Sequence, residues 1–120
     1  MDKIKIIGGE TLNGLINISG SKNAVLPIMA ATIIEPGKYF LNNVPDLQDT
    51  RTMAELIEII GGKVTFNKGT LSINTKNCNN PCAPYKLVKT MRASFYVLGP
   101  FISRFGRAEV SLPGGCAWGP

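Results

Sequence analysis

The amino-acid sequence predicts an α/β fold, on three observations. Segments with helical spacing of apolar residues alternate with segments of strand spacing, in the order helix, strand, helix, strand, strand, helix, strand from Ser21 onward. The chain also matches itself. Lys22 to Pro45 laid over Arg92 to Gly115, a shift of 92 − 22 = 70 positions, pairs a basic residue at a helix start, an apolar helix, a glycine stop, an alternating strand and a turn. One complete copy of a repeat and the opening of a second are therefore expected. Finally, 44% hydrophobic and 18% charged residues in a chain of 120 are an ordinary balance for a soluble domain. A globular chain of that length buries roughly two-thirds of the surface its unfolded form exposes.

Taken in order, Ile4 and Ile6 alternate with Lys3 and Lys5, Gly8-Gly9 turns the chain, and Leu15 to Ile18 reads as a second short strand ending at Ser19-Gly20. A hairpin is expected there. Ser21 stands as the N-cap of a helix reaching Ile34, whose apolar residues Val25, Leu26, Ile28, Met29 and Ile33 cover most of its circumference and predict burial. Glu35-Pro36-Gly37 stops it, and Lys38 to Asn42 follows as a strand. After the turn Asn43-Val44-Pro45-Asp46, either Asp46 or Asp49 stands where a second helix needs its cap, with Met53, Leu56, Ile57 and Ile60 at i, i+3, i+4 and i+7. Gly61-Gly62 ends that helix.

Val64 and Phe66, the turn Lys68-Gly69, and then Leu71 and Ile73 make a hairpin. Asn77 to Pro84 is a loop. A third helix is expected from Tyr85 through Leu87, Val88, Met91, Phe95 and Leu98, kinked or split at Gly99-Pro100. The chain then passes Gly106 into an alternating strand, Arg107 to Leu112, and a loop that begins at Pro113 and carries Cys116 between glycines.

Charge is divided unevenly. Positions 1–60 hold five basic and seven acidic residues, and positions 61–120 hold eight basic residues against Glu109, so the net +5 is the sum of −2 and +7. A basic half-chain points to an anionic partner, whether nucleic acid, membrane or a phosphorylated small molecule. Nucleic acid is not expected, because no aromatic platform is interleaved with the basic residues. A membrane is not expected either: the start has no apolar signal region, and the longest uncharged stretch, Asn23 to Ile34, is short and broken by Pro27. A cytoplasmic protein is expected. Three cysteines and no histidine argue against a disulfide framework, a zinc site or a histidine base.

Three places carry chemistry. Lys22 falls in the first turn of an otherwise uncharged helix, where a cation opposes the helix dipole. It is either a solvated surface lysine or, with the N–H groups of the helix start, a holder of phosphate or carboxylate. Lys86, Lys89 and Arg92 recur every three residues, as a stripe on one face of the third helix. A solvated face accounts for such a stripe, but Arg92 borders the small Ala93 and Ser94, which would let a ligand come close. Cys116 is either an inert thiol or an uncovered, reactive one, able to act as an acid as well as a nucleophile.

Three segments together are specific: Ile18 to Ala24 (ISGSKNA), Cys82 to Tyr85 running on through Lys89 to Ser94 (KTMRAS), and Ser111 to Cys116 (SLPGGC). In this order and spacing they resemble the amino-terminal part of the MurA family of bacterial enolpyruvyl transferases, over essentially the whole chain. The resemblance implies an inside-out α/β barrel built from βαβαββ repeats, incomplete in this chain. It implies that residues 1–20 are a strand pair belonging with a second, carboxy-terminal domain, and that residues 21–120 are an incomplete catalytic domain.

It implies transfer of the enolpyruvyl group of phosphoenolpyruvate to the 3-hydroxyl of UDP-N-acetylglucosamine, for peptidoglycan precursors, without metal or cofactor. Lys22 and Asn23 match positions that bind phosphoenolpyruvate, and Arg92 a position at the UDP-sugar site. Cys116 matches the loop cysteine that is the general acid and is alkylated by fosfomycin. Since the family continues beyond Pro120 with its base and other phosphate ligands, the 120 residues alone are expected to be inactive unless a complementary carboxy-terminal fragment supplies the rest. The alternatives are a shikimate-pathway enolpyruvyl transferase and a non-catalytic anion-binding module.

Overall fold

The computed structural model describes residues 3–9, 11–89 and 91–111, and of residues 92–94 the backbone alone. Its elements are α1 (Lys22–Ala31), β1 (Lys38–Leu41), α2 (Gln48–Ile59), β2 (Lys63–Asn67), β3 (Thr70–Asn74), β4 (Cys82–Ala83), α3 (Tyr85–Val88), a 3-10 helix (Arg92–Val97), α4 (Leu98–Phe105) and β5 (Glu109–Val110). The fold is α/β, as the sequence predicts.

The central sheet has the order β1-β3-β2, all antiparallel. Lys68 and Gly69 close the β2–β3 hairpin with φ of 45° and 79°. Two consecutive positive φ values are what a two-residue hairpin turn of matching twist requires, and Gly69 meets that need without strain. Leu71 and Ile73 are buried on the face of β3 that meets the helices, paired across the strands with Leu41 and Tyr39 on one side and Phe66 and Val64 on the other. The core continues through Met53, Leu56, Ile57 and Ile60 of the second helical segment, Val25, Leu26, Met29 and Ile33 of the first, and Val88, Val97 and Phe101. The heptad-like spacing in α2 therefore reads correctly as its buried stripe. The helix ends at Ile60 with Gly61 at φ 101°, where the N–H of Gly61 reaches Glu58 and that of Gly62 reaches Ile57 at 2.8 Å. This pair of bonds satisfies the last carbonyls of the helix.

Four expectations are corrected. Residues 3–9 and 11–20 form no hairpin and no strand. Their backbone lacks a ladder partner among the described residues, and Ile4, Ile6, Leu12, Leu15 and Ile18 stand 79–94% exposed. An apolar strand is stable only against a sheet that covers it. Helix α1 stops at Ala31, with Ile28 and Ile34 about half exposed, so its circumference is only partly covered.

The third helix is three pieces rather than one kinked helix or two. Pro100 lies in the first turn of α4, where its missing N–H costs nothing, and the further break comes after Val88, where α3 ends before residues 92–97 take 3-10 form. The stripe Lys86, Lys89 and Arg92 therefore lies on two elements, not on one face. Finally, the loop 77–84 contains β4, which pairs in parallel with β5, Cys82 with Glu109 and Ala83 with Val110. Pro81 and Pro84 flank β4 and keep the pair two residues long.

Lys22 opens α1 and Arg92 opens the 3-10 helix, the two elements pack against each other, and each run leads to a strand, β1 or β5.

Candidate functional site

The start of α1 is placed by a contact that only glycine permits. A side chain on Gly20 would overlap the carbonyl oxygen of Asn43, so the residues entering α1 are pressed against the loop leaving β1. Asn43 itself holds φ of 56°, a conformation asparagine tolerates, and Val44 donates to Gly69 at 2.8 Å, fastening that loop to the hairpin turn. Ser21 is the N-cap, as expected, in extended conformation but without a side-chain capping bond. The carbonyl of Ser21 accepts from Ala24 and Val25. The N–H groups of Lys22 and Asn23 have no acceptor within the helix, as at any helix start, and both residues are exposed.

The start of α2 lies beside it. Neither aspartate caps this helix. Leu47 is the N-cap residue, and Thr50 serves it through a hydroxyl that accepts the Leu47 N–H at 3.0 Å and lies 2.7 Å from the Leu47 carbonyl and 2.9 Å from that of Pro45. Thr50 occupies the third helical position, where a reciprocal partner of the cap belongs. The aspartates are turned to cations instead. Asp46 takes a forked pair of bonds from Arg51 at 2.6 and 2.8 Å. The Arg51 side chain, through its hydrogen bond, holds the Asp46 carboxyl below the usual carboxylate range. Asp49 receives Lys22, with Nζ 2.8 Å from Oδ2. This ion pair joins the N-terminal turns of α1 and α2.

An open groove of about 300 Å³ runs beside Gly20 and Ser21, walled by Ala24, Val25 and Ile28 of α1 and by Phe40 and Leu41 of β1. A second cavity, of about 350 Å³, lies over the β4–β5 pair between Asn80, Cys82, Arg107 and Glu109. Cys78 is buried and its thiol is pushed up by that burial, with the Arg104 charge opposing. Among the described residues no group of three or more histidine, cysteine, aspartate or glutamate side chains is placed to hold a metal ion, and no helix is long and apolar enough to cross a membrane.

Of the residues singled out from the sequence, Lys22 and Asn23 are adjacent at the start of α1, and Arg92 opens the 3-10 helix packed on α1. Cys116 lies outside the described residues. The structure adds Asp49 to this group. Its signal in the sequence was present, an acidic residue in the first turn of a helix, but that pattern reads as helix capping and gives no hint of a partner 27 positions away (49 − 22).

A family model described as EPSP synthase (3-phosphoshikimate 1-carboxyvinyltransferase) matches residues 6–119. A UDP-N-acetylglucosamine 1-carboxyvinyltransferase of Prosthecochloris aestuarii is 54% identical over 121 aligned positions, covering 100% of this chain and 28% of the relative. One from Dichelobacter nodosus is 51% identical, over 99% of this chain and 29% of the relative. The chain thus spans less than a third of the length of these relatives. Among solved structures, the enolpyruvyl transferase NikO from Streptomyces tendae superposes with a TM-score of 0.74 at 25% identity, over 84% of this chain and 24% of that one.

Proposed function

Given that this chain belongs to the EPSP synthase family, we propose that it contributes the phosphoenolpyruvate end and the acid-catalyst loop of an enolpyruvyl transferase whose acceptor is UDP-N-acetylglucosamine. The observation that carries this reading is the identity of 54% over the full chain with a transferase of that name. Lys22 supports it, as a cation kept at a helix start where the dipole disfavours cations and favours anions.

In this reading Lys22 and Asn23 hold the phosphate of phosphoenolpyruvate, and Arg92 reaches the UDP-sugar from the neighbouring 3-10 helix. The Cys116 thiol delivers a proton to the methylene carbon of the enol. The adjacent carbon becomes electrophilic and accepts the 3-hydroxyl of the sugar, and phosphate then leaves as a proton is lost from the former methylene carbon. The product serves peptidoglycan precursor synthesis in the cytoplasm, and fosfomycin alkylates Cys116. Residues 1–20 belong with a carboxy-terminal unit, which covers the exposed side chains of Ile4, Ile6, Leu12, Leu15 and Ile18. That unit supplies the catalytic base, and the 120 residues alone do not turn over.

A second reading, with shikimate 3-phosphate as acceptor, draws on the description of the matching family model. The two are separated in a hybrid in which these 120 residues replace the aligned part of the Prosthecochloris aestuarii relative. Phosphate release with UDP-N-acetylglucosamine and none with shikimate 3-phosphate is expected, and the reverse preference would overturn the assignment.

A further inference from the structure

We propose that Asp49 is a positioning residue for Lys22: it holds the ammonium over the start of α1, so that an incoming phosphate meets a fixed cation and the helix N–H groups together. The proposal rests on the reading of Lys22 as a phosphate ligand given above.

Two opposing helix ends set up the arrangement. Lys22 is the first residue of α1, a helix with no acidic residue in its first turn to balance it, so the positive end of the helix repels its ammonium. Left to itself, a lysine side chain on four rotatable bonds swings outward into water. Asp49 is in the first turn of α2, where the helix dipole favours a carboxylate. Because α1 and α2 pack together, the carboxylate lies within reach, and Nζ sits 2.8 Å from Oδ2. Asp49 thereby keeps the ammonium at the helix start against the repulsion.

Lys22 has three N–H donors and Asp49 occupies one. With 43% of the lysine side chain and 28% of the aspartate side chain exposed, the remaining donors face water, from which an anion arrives. Exposure also screens the repulsion between Asp49 and that anion, so geometry outweighs it. Asp46, the neighbouring acid, is committed to Arg51 and does not compete for Lys22.

Inorganic phosphate and phosphoenolpyruvate, titrated separately into the hybrid that carries these 120 residues in the Prosthecochloris aestuarii relative and followed by the side-chain ¹⁵Nζ and backbone amide resonances of Lys22 and Asn23, test the proposal. Asp49→Ala is expected to raise the dissociation constant about fivefold to tenfold and Asp49→Asn, which keeps an acceptor, about twofold to threefold, the order of magnitude set by the lysine rotamer freedom released. Asp46→Asn, which breaks the neighbouring pair, leaves binding unchanged. Affinity unchanged or tightened in Asp49→Ala, with Lys22 still responding to the anion, overturns the positioning role alone. No response of Lys22 to either anion in the unaltered hybrid overturns the reading of Lys22 as a ligand and this proposal with it. Thermal unfolding of each variant separates the two effects: a merely structural pair lowers the midpoint without moving the dissociation constant.

Discussion

Arg104 donates from one guanidinium nitrogen to the carbonyl of Ile33 at 3.0 Å, across 71 residues of chain, and from the other to the carbonyl of Cys78 at 3.0 Å. Ile33 closes the turn after α1 and Cys78 lies in the loop after β3, so one side chain from α4 ties the two halves of the fold through groups that are themselves buried. The guanidinium also stands 5.1 Å from the centre of the Phe105 ring. Arg104→Met keeps the apolar stem and removes both donors, and we expect it to lower stability by about 2–3 kcal/mol, the value of charge-assisted bonds to buried acceptors. Arg104→Lys recovers only part, since an ammonium cannot span both carbonyls as a planar fork does. Denaturant midpoints at unchanged slope measure the loss, and an unchanged midpoint for Arg104→Met would show that the tie contributes nothing.

Gly20 is fixed by contact with Asn43, not by its own conformation. Gly20→Ala forces the loop after β1 and the start of α1 apart, and should cost about 1–3 kcal/mol, the range for overpacked positions. The same substitution at Gly14, which has nothing within 4 Å, should cost less than about 0.5 kcal/mol. Amide resonances of Lys22 and Asn43 should move in the first variant and stay in the second. Equal costs would remove the contact as the reason for glycine.

The two described thiols differ in accessibility. Cys78 is buried and held neutral, whereas Cys82 is half-buried at the mouth of the cavity over β4 and β5. Iodoacetamide should modify Cys82 first, and Cys78 only as fast as the fold opens. Because folding raises the Cys78 thiol above its ordinary range, the unfolded chain releases that proton more readily. The stabilising contribution is therefore complete at neutral pH and is lost as pH rises from the ordinary thiol range through the raised value. Mass-mapped labelling between pH 7 and about 9.5 checks both statements, and equal labelling rates for the two residues would contradict them.

At the acid end the sign is reversed. Arg51 lowers the Asp46 carboxyl, so the pair contributes above the ordinary carboxylate range, and its contribution is lost as pH falls through that range to the lowered value. Asp46→Asn should flatten the acid limb of the stability profile by lowering the neutral region slightly, the loss being small because the pair is exposed and screened by salt, and should leave stability below the lowered value unchanged. A variant whose acid limb keeps its slope would assign that limb to other carboxylates.

Local pattern made the fold legible where the interaction partners are near in sequence. The hairpin at Lys68-Gly69, the stripe of α2 and the stop at Gly61-Gly62 all depend on residues within a few positions of each other. What could not be read depends on distant partners. The β4–β5 pair joins positions 27 apart (109 − 82), and the ladder that Ile4 and Ile18 require is not offered by any described strand. The split near Pro100 is legible, with Pro100 in the first turn of α4, but the break after Val88 is not, because the apolar spacing runs on past it. At the candidate site, Lys22 was found from its conflict with the helix dipole. Asp49, which resolves that conflict, came only from the packing of α1 on α2.

The most direct test of the enolpyruvyl transferase reading is phosphate release from phosphoenolpyruvate in the hybrid that carries these 120 residues, with the intact relative and a Cys116→Ala hybrid alongside. Release that requires UDP-N-acetylglucosamine and falls by at least about 100-fold in Cys116→Ala, the lower end of what a general acid contributes, is the predicted result. A folded hybrid that releases phosphate equally well with alanine at position 116, or that ignores UDP-N-acetylglucosamine while the intact relative responds to it, would contradict the assignment.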